Sequence, residues 1–240
     1  MREVKLTLPS GWDQLNENQL LGLSRLFLRC KSEKELLVKS FLLLTGLRMK
    51  KGIAVDDGQL VFTFRNRKVK PFELNAQTFA PMLENLSWIR KEFSPLRVLP
   101  SLLRFKGCNA KLYNVSLEDY LRMDTNFRAF GFTAKQKYLN KLLSIVFSAN
   151  RFWFVVVPMY RKQAVLLWFA GIKTMLKQNY PYLWPSGGEG GQAVTDQEIV
   201  FSLLSSLNNG DVTKNKEILK THVHEAFYQL NLKAQQTKTK

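Results

Sequence analysis

The sequence predicts a mainly α fold with a small antiparallel β-hairpin, an α+β class in which the C-terminal half is the more helix-rich. Three observations carry that prediction. Apolar residues recur at helical spacing along most of the chain, one short window around Leu60–Phe64 alternates with a period of two, and capping residues mark where each helix starts. With 240 residues, 45% of them hydrophobic and 17 of them Phe, the chain has material for a substantial core.

The N-terminal elements follow in order. Asn16 and Gln19 form a capping-box pair ahead of the stripe Leu20, Leu23, Phe27 and Cys30, and Ser32 and Glu35 repeat the signal ahead of Leu37, Phe41 and Leu44. Only Lys31–Ser32 separates the two stripes, which predicts an antiparallel helical hairpin ended by Gly46. Leu60, Phe62 and Phe64 then alternate with Val61, Thr63 and Arg65, and Asp57-Gly58 supplies a turn. A two-residue loop there places Lys50 opposite Arg65 and gathers Arg48, Lys51, Arg67 and Lys68 at one end, with Lys70 following. Like charges opposed across a ladder are destabilising, so this collection reads as a solvated rim or as a polyanion contact.

A helix from Asn75 carries Phe79, Met82, Leu83 and Leu86 toward Trp88, with Pro81 in its first turns or kinking it. Pro95 and Pro100 mark an irregular connection, and a boundary near Asn109 separates 1–109 from a helical domain, 110–240. In that domain Ser116 caps a helix through Tyr120, Leu121 and Phe127, and Thr133 caps another through Tyr138, Leu142 and Ile145. Phe152–Val157 reads as a short buried strand or as an extended approach to the next helix, which Pro158 opens. That helix presents Val165, Trp168, Ile172 and Met175 on one face, while Leu166, Leu167 and Phe169 make its first half apolar all round and hence central. Pro181 and Pro185 stop it before the Gly-rich loop 186–191. Thr195 and Glu198 cap a helix through Phe201, Leu204 and Leu207, Asn209-Gly210 ends it, and Val223, Ala226, Phe227, Leu230 and Ala234 form the last stripe.

The charge balance and the rare residue types bound the chemistry. A formal charge of +17, from 36 Lys and Arg against 19 Asp and Glu, attracts polyanions and acidic protein faces. Cys30 and Cys108 lie in no metal or redox spacing, which points to packing residues in a reducing compartment. Met1–Leu8 lacks the apolar run of a signal peptide, and Pro158, Arg161, Lys162 and Gln163 interrupt Phe152–Ile172 as a membrane span. His222 and His224 point about 160° apart on a helix, so they suit solvent-facing or capping roles rather than one metal. Gly187–Gly191 lacks the Lys and Ser or Thr of a phosphate loop, and Glu118-Asp119 diverge on a helix. No catalytic, cofactor or metal residue is therefore expected, and the chain reads as a non-enzyme. Rings interleaved with cations at Arg65–Phe72, Arg104–Lys106 and Arg151–Tyr160 have the composition of single-strand binders, although the same rings fit core periodicity.

Leu139–Leu143, then Ala164–Trp184 with its Trp168-Phe169-Ala170-Gly171 core and Tyr180–Trp184 end, and finally Phe201–Leu230 resemble proteins encoded in the structural and assembly gene clusters of tailed phages and prophages. The likeness covers about the last hundred residues and is one of pattern. It implies a non-enzymatic virion assembly factor or tail or neck component, present in the bacterial host cytoplasm during assembly or in the virion. The partners it implies are other phage structural proteins with acidic surfaces, alongside a homo-oligomer and a DNA contact, with no membrane. Trp88 and Trp184 are the aromatic anchors such a role would use, whereas Trp168 belongs to the core. The competing class is a basic nucleic-acid-binding accessory protein, in which Arg48, Lys50, Lys51, Arg65, Arg67, Lys68 and Lys70 neutralise phosphates.

Overall fold

The computed structural model of the chain describes residues 7–49, 53–54, 60–66, 69–90, 99–102, 105–183, 196–208 and 210–238. These are mainly helical, with one small antiparallel sheet. Contacts divide the chain into two units, residues 1–100 and 101–240. The division precedes Asn109 because the intervening stretch packs into the second unit: Leu102 is fully buried, the Phe105 ring lies 5.7 Å from that of Phe154, and Cys108 N donates to Val146 O at 2.8 Å.

In the first unit, α1 (Glu17–Arg29) and α2 (Glu33–Thr45) start as their caps predict. Asn16 Oδ1 accepts from Gln19 N at 2.9 Å, and Gln19 Oε1 accepts from Asn16 N at 3.0 Å. At α2 the box is displaced: Ser32 Oγ accepts from Glu35 N at 3.2 Å, but the Glu35 carboxylate reaches Lys31 N at 3.0 Å, one residue before the cap. Gly46, at φ 67°, ends α2 in the left-handed region that glycine tolerates without strain.

The sheet is built around a central strand. β1 (Arg48–Met49) and β2 (Ile53–Ala54) pair with one edge of β3 (Leu60–Asn66), and β4 (Val69–Asn75) pairs with the other. Arg48, not Lys50, stands opposite Arg65, two residues from the register that a two-residue loop sets. Ala54 opposite Leu60 is displaced by one, so the register changes between β1 and β2. The Asp57-Gly58 turn lies outside the described residues. β4 is an element the sequence did not announce, because Pro71 disguises it; as an edge strand it accommodates a residue without an N–H. Asn75 closes β4 against Val61 and caps α3 (Ala76–Glu84) by accepting from Thr78 N at 2.8 Å. Helices and sheet meet through rings: Phe79 lies 5.2 Å from Phe41 and 5.3 Å from Phe64, all three buried.

The second unit is organised on α6. Its helices are α4 (Leu117–Thr133), α5 (Gln136–Val146), α6 (Met159–Asn179), α7 (Asp196–Asn208), α8 (Asn215–Lys220) and α9 (Val223–Lys238). Ala164 to Phe169, Ile172 and Leu176 of α6 are buried, as a helix apolar all round requires, and the Trp168 indole Nε1 donates to Ala110 O at 3.0 Å. Ser116 caps α4 as expected, accepting from Asp119 N at 3.1 Å. Thr133 instead ends α4, and Lys135 precedes α5; the Thr133 hydroxyl donates to Ala129 O, inside the helix it closes. Pro158 is the residue before α6 rather than its first. The unit's beginning is tied to its last helix, since Leu117 N donates to Thr221 O at 2.8 Å and Val223 N to Val115 O at 3.0 Å. No helix among the described residues is long and apolar enough to cross a membrane.

Candidate functional site

The segment between α5 and α6 is neither a strand nor an extended approach. Ser148, at φ 46°, turns the chain out of α5, and Asn150 Oδ1 accepts from Phe152 N at 3.1 Å to start a 3-10 turn over Arg151–Phe154. With three residues per turn, side chains three apart share an edge. Phe154 and Val157 form the inward edge, both buried, with Phe154 held between Phe105 at 5.7 Å and Phe147 at 6.0 Å. The other two edges face out: Phe152 is 67% exposed, Trp153 52%, Val155 64% and Val156 76%. Met159 extends this apolar surface, its sulfur 4.0 Å from Gln136 Nε2.

So many large apolar side chains side by side in water represent lost burial, roughly 1–2 kcal/mol for each whose exposed part a partner covers. A contiguous patch of that kind marks an interaction surface. It is also pre-organised, because Asn150, Phe154 and Pro158 fix the backbone beneath it. The charges along this part of the chain are of one sign. Every charged residue from Thr125 to Gly188 is a lysine or an arginine. Arg151 sits over the Phe152 ring at 5.3 Å, and Arg161, whose Nη1 donates to Ser101 O at 3.4 Å, lies over the Tyr160 ring at 5.9 Å.

The residues singled out as a cationic cluster are partly brought together. Arg48 and Arg65 are exposed and directly opposite on β1 and β3. Lys50, Lys51, Arg67 and Lys68 fall outside the described residues, as does the side chain of Lys70 on β4. Of the aromatic anchors, Trp88 is half-buried, its ring meeting that of Trp12 edge-on at 5.4 Å, and Trp184 falls outside the described residues. Phe152 and Trp153 are instead two adjacent exposed rings among the described residues. Their signal was the run of Arg151–Tyr160 itself, where three successive rings follow an arginine with no helical stripe.

A cleft of ≈ 190 Å³ between α4, α6 and α9 is lined by Tyr120, Asp124, Arg128, Lys173, Lys177 and Phe227, among others. Asp124 is engaged on both sides, by Lys173 Nζ at 2.7 Å and Arg128 Nε at 3.0 Å, and Lys173 also lies over the Phe127 ring at 5.5 Å. Complete burial pushes the Tyr120 phenol far up, so it stays protonated. Asp124, Arg128 and Lys173 form a partly buried ion-pair network between α4 and α6, and Phe227 of α9 packs edge-on against Tyr120.

His222 precedes α9, in an isolated antiparallel bridge with Ser116, and is exposed, so the two histidines do not share a helix. His224 has a tertiary role the sequence did not disclose. Its Nε2 lies 2.7 Å from Lys111 O, so it donates there, and its Nδ1 lies 2.9 Å from the Tyr180 hydroxyl. The ring thereby joins the turn before α4, the end of α6 and α9. Among the described residues no three of His, Cys, Asp and Glu gather as metal ligands would.

No protein-family model, no curated protein and no solved structure matches this chain.

Proposed function

We propose that this chain is a non-enzymatic component of tailed-phage or prophage morphogenesis, an assembly factor or a tail or neck protein, acting through protein–protein contacts. The observation that carries the contact role is the pre-organised apolar turn Phe152–Met159 with arginines at its rim. Aromatic residues, Met and Arg are the types enriched at protein interfaces. The phage setting rests on the likeness of Leu139–Leu143, Ala164–Trp184 and Phe201–Leu230, and it places the protein in the bacterial host during assembly or in the particle. Its partners are other structural proteins with acidic faces. Mass spectrometry of purified particles and of assembly intermediates from the producing host tests this reading. Recovery in either supports it, and absence from both removes it.

A second reading is favoured by the opposition of Arg48 and Arg65, a like-charged pair that an anion would relieve. On it the chain is a basic nucleic-acid-binding accessory protein. Affinity for DNA that falls steeply with salt, together with a monomer on light scattering, distinguishes it.

A further inference from the structure

We propose that the Phe152–Met159 surface seats an acidic, apolar segment of a partner protein. On this assignment the partner's apolar side chains cover Phe152, Trp153, Val155 and Val156, and its carboxylates meet Arg151 and Arg161. It rests on the assembly reading above and adds the partner's chemistry. The inward pair Phe154 and Val157 anchors the turn in the core, so the backbone that presents the outward residues is already ordered before docking. Arg161 spends one donor on Ser101 O and, as a guanidinium, has four more.

Charge complementarity selects the occupant. A second copy is opposed, because a two-fold contact brings this patch with Arg151 and Arg161 against itself, and the charges of the chain from Thr125 to Gly188 are all positive. Single-stranded nucleic acid stacks on rings, and Val155, Val156 and Met159 offer none. An anionic bilayer draws lysine and arginine alike, whereas Asn150–Arg161 contains arginine and no lysine, the bias of protein interfaces. A protein segment bearing carboxylates beside apolar side chains matches both the rim and the centre.

The test uses the full chain and a labelled helical peptide with leucines at i, i+3, i+4 and i+7 and glutamates elsewhere, followed by anisotropy. Comparators are the same peptide with lysines for glutamates, polyglutamate, phosphatidylcholine–phosphatidylserine vesicles and oligothymidylate. The expected result is that the Glu–Leu peptide binds more tightly than every comparator and shifts tryptophan emission to the blue, a shift that Trp153→Phe removes. Val156→Glu, at a solvent-facing position with circular dichroism as the fold check, is expected to weaken binding about tenfold or more. The assignment is overturned by equal binding of polyglutamate, by vesicles or oligothymidylate outcompeting the peptide, or by Val156→Glu binding like the parent. If particles contain the protein and Val156→Glu changes nothing, the surface assignment fails alone. If peptide binding follows the pattern and neither particles nor intermediates contain the protein, the assembly reading fails alone.

Discussion

Lys162 Nζ, on a residue only 3% exposed in the first turn of α6, donates to the neutral amide oxygen of Asn140 on α5 at 3.2 Å. No carboxylate among the described residues pairs with it. The positive end of the α6 dipole adds to the cost of that buried ammonium.

Lys162→Met is therefore expected to raise stability at neutral pH by about 1 kcal/mol, read by urea denaturation. Burial pushes the Lys162 ammonium below its ordinary 10.5. In the window between that depressed value and 10.5, the unfolded chain holds the proton more tightly, so wild-type stability rises with pH relative to the variant. The gap between the two proteins should narrow through that window. A variant clearly less stable than the parent at neutral pH contradicts this account.

Across β1 and β3, Arg65→Glu converts a like-charged pair with Arg48 into an opposite one. A gain of roughly 0.2–1 kcal/mol follows at low salt and shrinks at high salt, because both positions are exposed. Retention on heparin measured alongside discriminates the functional readings. The nucleic-acid reading requires a marked loss of retention, and the protein-contact reading requires little.

Two glycines pull in opposite directions. Gly131 lies inside α4, and a Cβ built there meets nothing within 4 Å, so Gly131→Ala is expected to stabilise by about 0.5–1 kcal/mol. Gly210 has φ +87°, where an L side chain is strained, and Gly210→Ala is expected to cost about 1–2 kcal/mol. Paired denaturation curves check the sign of each change.

Burial pushes the Cys108 thiol up to about 12 from an ordinary 9.0. At pH near 8 its thiolate fraction falls roughly a thousandfold below that of an ordinary thiol, so Ellman's reagent should modify it far more slowly in the folded protein than after denaturation. Because the folded value is the higher one, Cys108 contributes stability below pH 9 that is lost as pH rises toward 12. Equal labelling rates before and after unfolding would rule this out.

Local chemistry was the legible part of this fold. Asn16, Ser32, Asn75 and Ser116 each cap the helix expected of them, and the all-apolar first half of α6 is the buried centre it reads as. Features set by distant partners were not legible. His224 meets Lys111 across 113 positions, and neither residue carries a local sign of it. β4 hid behind Pro71, and the β1 register depends on residues beyond any turn rule. The apolar turn escaped for a geometric reason: a three-residue period lies between the strand and helix periods, so Phe152–Val157 resembled an imperfect version of both.

The link from Val115 and Leu117 to Thr221 and Val223 sets an order of events during translation. The beginning of the second unit leaves the ribosome long before the strand-like partner that completes it, and Tyr120 waits for Phe227, 5.2 Å away in the finished protein. A nascent chain stopped short of Thr221 thus leaves α4 without its cover. Damage at Thr221–Val223 is felt first at the opening of this unit.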